Sequence, residues 1–244
     1  MRSFVRHITH RRLYATLRKA WYKIYAVRCR GDLLRLGQFH STDKYAHGFL
    51  PIYASHFARL RRKRIRILEI GIGGYADPDV GGASLRMWKG YFPKAEIYGA
   101  DIHPKFGVAE RRIRTLMVDQ ASPDSLRMLG AELGPMDIII DDGSHVNAQV
   151  IQTFKILLPI LTHGGLYCVE DTQTSYWPEY GGGTEDSLEP CTTMDFFRQL
   201  CDVLNQEYWR TPYPPLLPFV GQLAGIHFYR NLVIAEKCQS RGGK

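Results

Sequence analysis

Five apolar, β-rich runs separated by helical stretches set the class of fold open to this chain. They are "IRILEIGI" (65–72), "AEIYGADI" (95–102), "IRTLMVD" (113–119), "MDIIIDDG" (136–143) and "GGLYCVED" (164–171). Runs that stay apolar fit strands buried on both faces, and strands alternating with helices wind into a parallel sheet. The pattern predicts helices near 44–60, 82–91, 122–133, 146–160 and 191–206, the fourth capped by Ser144 or Asn147. Near the end, "AGIHFY" and "LVIAEK" flank Arg230-Asn231 as a hairpin. The expected fold is α/β: a parallel sheet with an antiparallel C-terminal edge hairpin and helices on both faces.

In open α/β sheets, ligands bind beyond the carboxyl ends of the strands. Those ends read Glu69-Ile70-Gly71-Ile72-Gly73-Gly74, then Asp101, Asp119-Gln120, Asp141-Asp142 and Glu170-Asp171. Every strand delivers a polar group to one rim, which a purely structural sheet does not need. Glycines let the backbone approach a ligand, and an acid ending the second strand suits ribose hydroxyls. Gly71, Gly73 and Ala76 also satisfy the loose dinucleotide pattern, so an NAD-dependent oxidoreductase is one reading. Against it, "YADPDVGGAS" (75–84) contains a proline and two glycines, so no helix starts straight after the turn to receive a pyrophosphate. Glu69, at the mouth of the strand, suits an ammonium better than a phosphate. The suggested cofactor is cationic: S-adenosylmethionine, with an amino group, a sulfonium and a ribose.

Here the residues resemble a family. "LEIGIGG", "GGASLRMWKGYFPKAEIYGADI", "VDQ", "DIIIDDGSH" and "GGLYCVEDTQTSYW" together are similar to the metal-dependent sugar O-methyltransferases, which include the macrolide deoxysugar and novobiocin-type enzymes. The similarity spans roughly residues 40–235. It implies a Rossmann-like class I methyltransferase fold and S-adenosylmethionine and Mg²⁺ as cofactors. It also implies Asp142, Glu170 and Asp171 as metal ligands and His145 as the base. Glu69 and Gly71 would line the methionine pocket, Asp101 would hold the ribose, and Asp119 and Gln120 would face the adenine. Gly73 belongs to the same glycine loop, Ser84 reaches that pocket, and Asp141 supports the turn or the cofactor side. The expected domains are a basic helical extension, 1–40, and a methyltransferase domain, 41–244, in place of the macrolide enzymes' large additional N-terminal domain.

The chemistry of the residues agrees. A sugar hydroxyl is a poor nucleophile near neutral pH, and Mg²⁺ among carboxylates binds two vicinal hydroxyls and favours the alkoxide. His145, three residues after Asp142 on the turn into a helix, is placed to accept the proton. An isolated Asp-Gly would read only as a tight turn with Ser144 as helix cap. Two acidic rims on neighbouring strands plus an imidazole favour a metal site instead. Tyr176 and Trp177 read equally as core or as a platform for a sugar face. His227, His47 and His56 read as structural or surface residues. "STDKYAHGF" (41–49) reads as a capped helix start, and Thr42 and Lys44 become ligand candidates because a similar segment closes over the pocket in the relatives.

The net charge of +8 belongs to one segment. Residues 1–30 hold nine Lys/Arg and no acid, leaving 23 basic against 24 acidic residues in the rest. That segment repeats Leu13, Leu17, Trp21 and Ile24 at helical spacing, and its aromatic side calls for cover on the body or on a second subunit. No nucleic-acid fold motif accompanies it, so no nucleic-acid partner is expected. Five cysteines without a C-x-x-C pair indicate neither a disulfide framework nor zinc, and point to reduced thiols in a cytoplasm. The sequence shows no membrane-spanning run and no apolar signal-peptide core.

The reading is a Mg²⁺- and S-adenosylmethionine-dependent O-methyltransferase acting on a sugar hydroxyl, as a homo-oligomer with a dimer favoured. The acceptor is an antibiotic deoxysugar, a glycolipid sugar or a polysaccharide end, the last as in the mycobacterial methylmannose-polysaccharide methyltransferases. The rivals are a catechol-type O-methyltransferase, which typically carries a lysine where His145 stands and Asp-Asn for Glu170-Asp171, and a non-catalytic S-adenosylmethionine- or polymer-binding module.

Overall fold

The computed structural model describes residues 29, 31–183, 192–211 and 214–239. The basic segment read as an N-terminal helix lies outside them, apart from Cys29.

Among the described residues, seven strands form one sheet: β1 (Arg66–Ile70), β2 (Glu96–Asp101), β3 (Ile113–Met117), β4 (Met136–Asp141), β5 (Leu161–Glu170), β6 (Leu223–Tyr229) and β7 (Leu232–Lys237). Their order is β3-β2-β1-β4-β5-β7-β6. The first five run parallel, and β7 runs antiparallel to both β5 and β6. The hairpin is therefore present, and its second strand enters the sheet beside β5 while its first becomes the edge.

The helices are α1 (Leu33–His40), α2 (Asp43–Ala46), α3 (Leu50–Phe57), α4 (Ala83–Tyr91), α5 (Pro123–Leu133), α6 (Asn147–Leu157) and α7 (Thr193–Val203). Strand periodicity sorts the core into two layers. Ile138, Ile140, Leu166 and Cys168 pack with Leu36, Tyr53, Phe57 and Trp88 on the face covered by α1, α3 and α4. Ile139, Tyr167 and Val169 point the other way, against Leu126, Phe154 and Phe197 of α5, α6 and α7.

Three local outcomes differ from the sequence reading. The helix expected over 44–60 is divided into α2 and α3, because Gly48 takes a φ of +77° and Pro51 lies in the first turn of the new helix. Helix α1 falls within the expected helical extension, 1–40, yet packs into the body; Asp32 caps it, its Oδ1 accepting from Arg35 N at 3.0 Å, and Leu33 and Leu36 sink into the core. Neither Ser144 nor Asn147 caps α6, whose N-cap is Val146 without a side-chain bond. The Asn147 amide instead donates to Tyr180 O (2.9 Å) and Thr174 O (3.2 Å) and accepts from Thr193 N (2.7 Å). It ties the loop after β5 and the start of α7 to the strand ends.

Candidate functional site

The strand order reverses between β1 and β4, so the chains leaving these neighbours turn to opposite faces and open a crevice. Gly71 makes the crevice possible. Its φ is +80°, and a β-carbon there would lie 2.0 Å from the Asp142 carbonyl oxygen. Only glycine lets the two strand ends pass at this distance.

Cavities open on both sides of Gly71. One, about 540 Å³, is lined by Thr42, Asp43, Gly73, Ser84 and Asp142 among others. The other, about 460 Å³, is lined by Asp101, Asp119, Gln120, Gly143 and Ser144 among others. Asp101 is fixed by backbone donors, Ile72 N to Oδ2 at 3.1 Å and His103 N to Oδ1 at 3.0 Å. Asp119 is exposed at the cavity edge, its Oδ1 accepting from Ala121 N at 2.8 Å. Gln120 is buried in the wall: Nε2 donates to Asp141 Oδ1 (2.9 Å) and Thr153 Oγ1 (3.1 Å), and Oε1 accepts from Ser144 N (2.7 Å). Asp141 lies behind it, almost without exposure, and burial raises its pKa to about 7 against the Gln120 hydrogen bond. The structure thus brings Asp101 and Asp119 to the cavity surface and uses Gln120 and Asp141 to brace it.

The loop 72–82, whose Gly73, Gly74 and Gly81 line the first cavity, is held by a residue that no motif marks. Lys105 is 2% exposed, and its ammonium donates to the carbonyls of Tyr75, Asp77 and Val80. A lone lysine in a polar loop carries no motif.

At the other end of the crevice, α2 inserts Lys44 among the carboxylates. Its Nζ is 2.6 Å from Asp142 Oδ2, 2.8 Å from Glu170 Oε2 and 3.1 Å from Glu69 Oε1, with the side chain fully buried. Burial opposes the charge on Lys44, but Asp142, Glu170 and Glu69 outweigh it and hold its pKa well above the usual lysine value. Burial pushes the Glu69, Asp142 and Glu170 carboxyls up, and Lys44 counters it in all three. Tyr53 OH donates to Glu170 Oε1 at 2.6 Å, and Trp88 Nε1 to Glu69 Oε2 at 2.8 Å. Breaking a buried pair of this kind typically costs roughly 3–5 kcal/mol, because the remaining charge is left without a partner. Glu69 and Glu170 are therefore spoken for inside the protein, and neither faces the cavity openly.

Asp142 reaches outward with its second oxygen. One ligand atom each of Asp142, His145 and Asp171 lies within 4.8 Å of the others. His145 Nε2 stands 4.0 Å from Asp142 Oδ1 and 3.9 Å from Asp171 Oδ2. His47, read from the sequence as a surface or packing residue, places Nδ1 3.6 Å from Asp171 Oδ1. Two hard carboxylates and an imidazole at these spacings can receive a divalent cation. Of the expected metal set, Asp142 and Asp171 come together here, while Glu170 is turned to Lys44 and Tyr53. Tyr176 and Trp177, in the loop after β5, are 62% and 43% exposed, so they lie outside the core. His56 and His227 meet edge to face beside Tyr229, away from these groups.

No family model matches the chain. It is 45% identical over 216 residues to 8-demethyl-8-(2-methoxy-alpha-L-rhamnosyl)-tetracenomycin-C 3'-O-methyltransferase of Streptomyces olivaceus, covering 87% of this chain and 55% of that protein. It is 40% identical over 215 residues to mycinamicin VI 2''-O-methyltransferase of Micromonospora griseorubida, covering 87% and 54%. Among solved structures, MycE methyltransferase in complex with Mg and S-adenosylhomocysteine superposes with a TM-score of 0.81 at 39% identity, covering 88% of this chain and 56% of that one. MycE with Mg, S-adenosylhomocysteine and mycinamycin VI gives 0.78 at 39% identity, covering 88% and 57%. The chain spans about half the length of the curated relatives it matches. Over that half, it is similar in sequence and in fold to these O-methyltransferases.

Proposed function

We propose that this chain transfers the methyl group of S-adenosylmethionine to a sugar hydroxyl with the help of Mg²⁺. The observation that carries the reading is the Asp142, His145 and Asp171 cluster standing at the wall of a crevice that only a glycine can shape. The crevice fits the cofactor: it opens on both sides of Gly71 and presents a carboxylate, Asp101, pre-oriented by two backbone amides. The carboxylates of the cluster fit Mg²⁺: Asp142 and Asp171 offer hard oxygens with no thiolate beside them, and the His145 imidazole stands next to them as a base.

Bound there, Mg²⁺ supplies a positive charge that favours ionisation of a sugar hydroxyl. Asp142 and Asp171 hold that charge. Glu170, the third expected ligand, stands behind them bound to Lys44 and Tyr53. His145 Nε2 would take the hydroxyl proton, and Asp101 would accept from the ribose and so help to hold the cofactor. Asp119 faces the adenine at the cavity edge. Tyr176 and Trp177 offer apolar faces to the sugar ring.

The relatives' names, which describe methylation of rhamnosyl and other antibiotic sugars, support a deoxysugar on a glycosylated natural product as acceptor. No helix among the described residues is long and apolar enough to cross a membrane. We place the protein in the cytoplasm, where its thiols stay reduced, and assign it a homodimeric assembly. The test is transfer from labelled S-adenosylmethionine to a panel of rhamnosides, other 6-deoxyhexosides and catechols, with and without EDTA. Glycoside methylation that EDTA abolishes and Mg²⁺ restores is the expected result. Transfer to catechols alone, or transfer that ignores EDTA, overturns the reading.

A further inference from the structure

Lys44 is the point at which the two sides of the crevice meet. Its ammonium touches one carboxylate at the end of each of three strands: Glu69 of β1, Asp142 after β4 and Glu170 of β5. The residues just before it, Thr42 and Asp43, wall the cavity beside Ser84. Thr42 is itself buried, and Asp43 Oδ1 accepts from Lys44 N at 2.9 Å, so wall and lysine move as one piece. Of the two Asp142 oxygens, Oδ2 is taken by the ammonium, and Oδ1 is left toward His145.

We propose that Lys44 is a positioning residue for two ligands at once: it presents Asp142 Oδ1 to the metal and pins the segment 41–43 as the wall against the amino-acid portion of the cofactor. The proposal rests on the reading that this crevice takes S-adenosylmethionine and Mg²⁺. A partner that orients a metal ligand without touching the metal typically contributes 10–100-fold to metal affinity. Charge alone would act the other way, since removing a cation beside carboxylates favours Mg²⁺. The sign of the effect therefore separates positioning from competition.

The experiment measures calorimetric binding of Mg²⁺, S-adenosylhomocysteine and 5′-methylthioadenosine, which lacks the amino-acid portion, to the full chain and to Lys44→Met. In the variant, Mg²⁺ affinity is expected to fall about 10–100-fold. S-adenosylhomocysteine affinity should drop to that of methylthioadenosine, and methylthioadenosine binding, on the Asp101 side, should be unchanged. Mg²⁺ binding as tight as wild type or tighter, or undiminished S-adenosylhomocysteine binding, overturns the proposal. If Lys44→Met does not fold, Lys44→Arg carries the test. It keeps the charge, but a planar guanidinium cannot reproduce the ammonium's three contacts, so Mg²⁺ affinity still falls while methylthioadenosine binds. Wild-type Mg²⁺ affinity in that variant, or failure of both variants to bind methylthioadenosine, assigns Lys44 to folding alone. Wild-type protein that binds neither Mg²⁺ nor S-adenosylhomocysteine overturns the functional reading itself.

Discussion

His145 Nε2 lies 3.9 Å from Asp171 Oδ2, and both residues hold left-handed backbone, with φ of 57° and 52°. Such a conformation costs a residue with a β-carbon about 1–2 kcal/mol. Glycine would remove the cost at either position, yet neither position carries one. The strain turns both side chains back over Asp142, so the two loops spend stability to bring a base and a carboxylate to the same point.

Asp142→Asn keeps the size of the side chain and removes one charge from the cluster. S-adenosylhomocysteine should still bind, while Mg²⁺ affinity and methyl transfer collapse. Calorimetry with each ligand separately checks this, and full methylation by the variant in EDTA would show that the strand end is only a turn.

His145→Ala should keep both ligands and lose the chemical step by about 10²–10⁴-fold, the range for a general base. Single-turnover rates across a pH series measure it. A variant near wild-type rate at every pH leaves His145 without a catalytic role.

Asp101→Ala removes an acceptor already aligned by Ile72 N and His103 N. S-adenosylmethionine affinity should fall by about 1.5–3 kcal/mol, as for a hydrogen bond to a charged group, with Mg²⁺ affinity unchanged. Unchanged cofactor affinity removes Asp101 from the site.

His40, at the end of α1, has its pKa lowered from 6.5 to about 4, first by burial and then by Arg86, with Glu110 opposing and Lys89 adding to the effect. Above pH 6.5 the imidazole is neutral folded or unfolded, and its full contribution to stability is present. As the pH falls toward 4, the unfolded chain takes up a proton that the folded chain refuses, and stability drops. Denaturant midpoints between these limits should decline in the wild type and decline less steeply in His40→Gln.

The sheet was legible because burial on both faces writes itself as uninterrupted apolar runs, and all five parallel strands lie where those runs are. The ends of helices were harder to read: Gly48 and Pro51 divide one apolar stretch in two, and an unpartnered-looking Asn147 serves distant backbone rather than its own helix. Asp142, His145 and Asp171 were visible as chemistry because they follow strands directly. The tie between Lys44 and Glu170 was not, since it joins residues 126 positions apart and depends on how α2 folds back over the rim. His47 reads in sequence as a surface residue for the same reason. Its meaning comes from Asp171, which approaches it only in space.

Lys105 gives the protein a built-in clock. Its amine is sealed beneath the loop it holds, so an acylating reagent that labels surface lysines within seconds must wait for that loop to open. Its labelling rate then measures how often that loop lifts, and a small molecule that settles against the loop should slow that rate without touching the lysine.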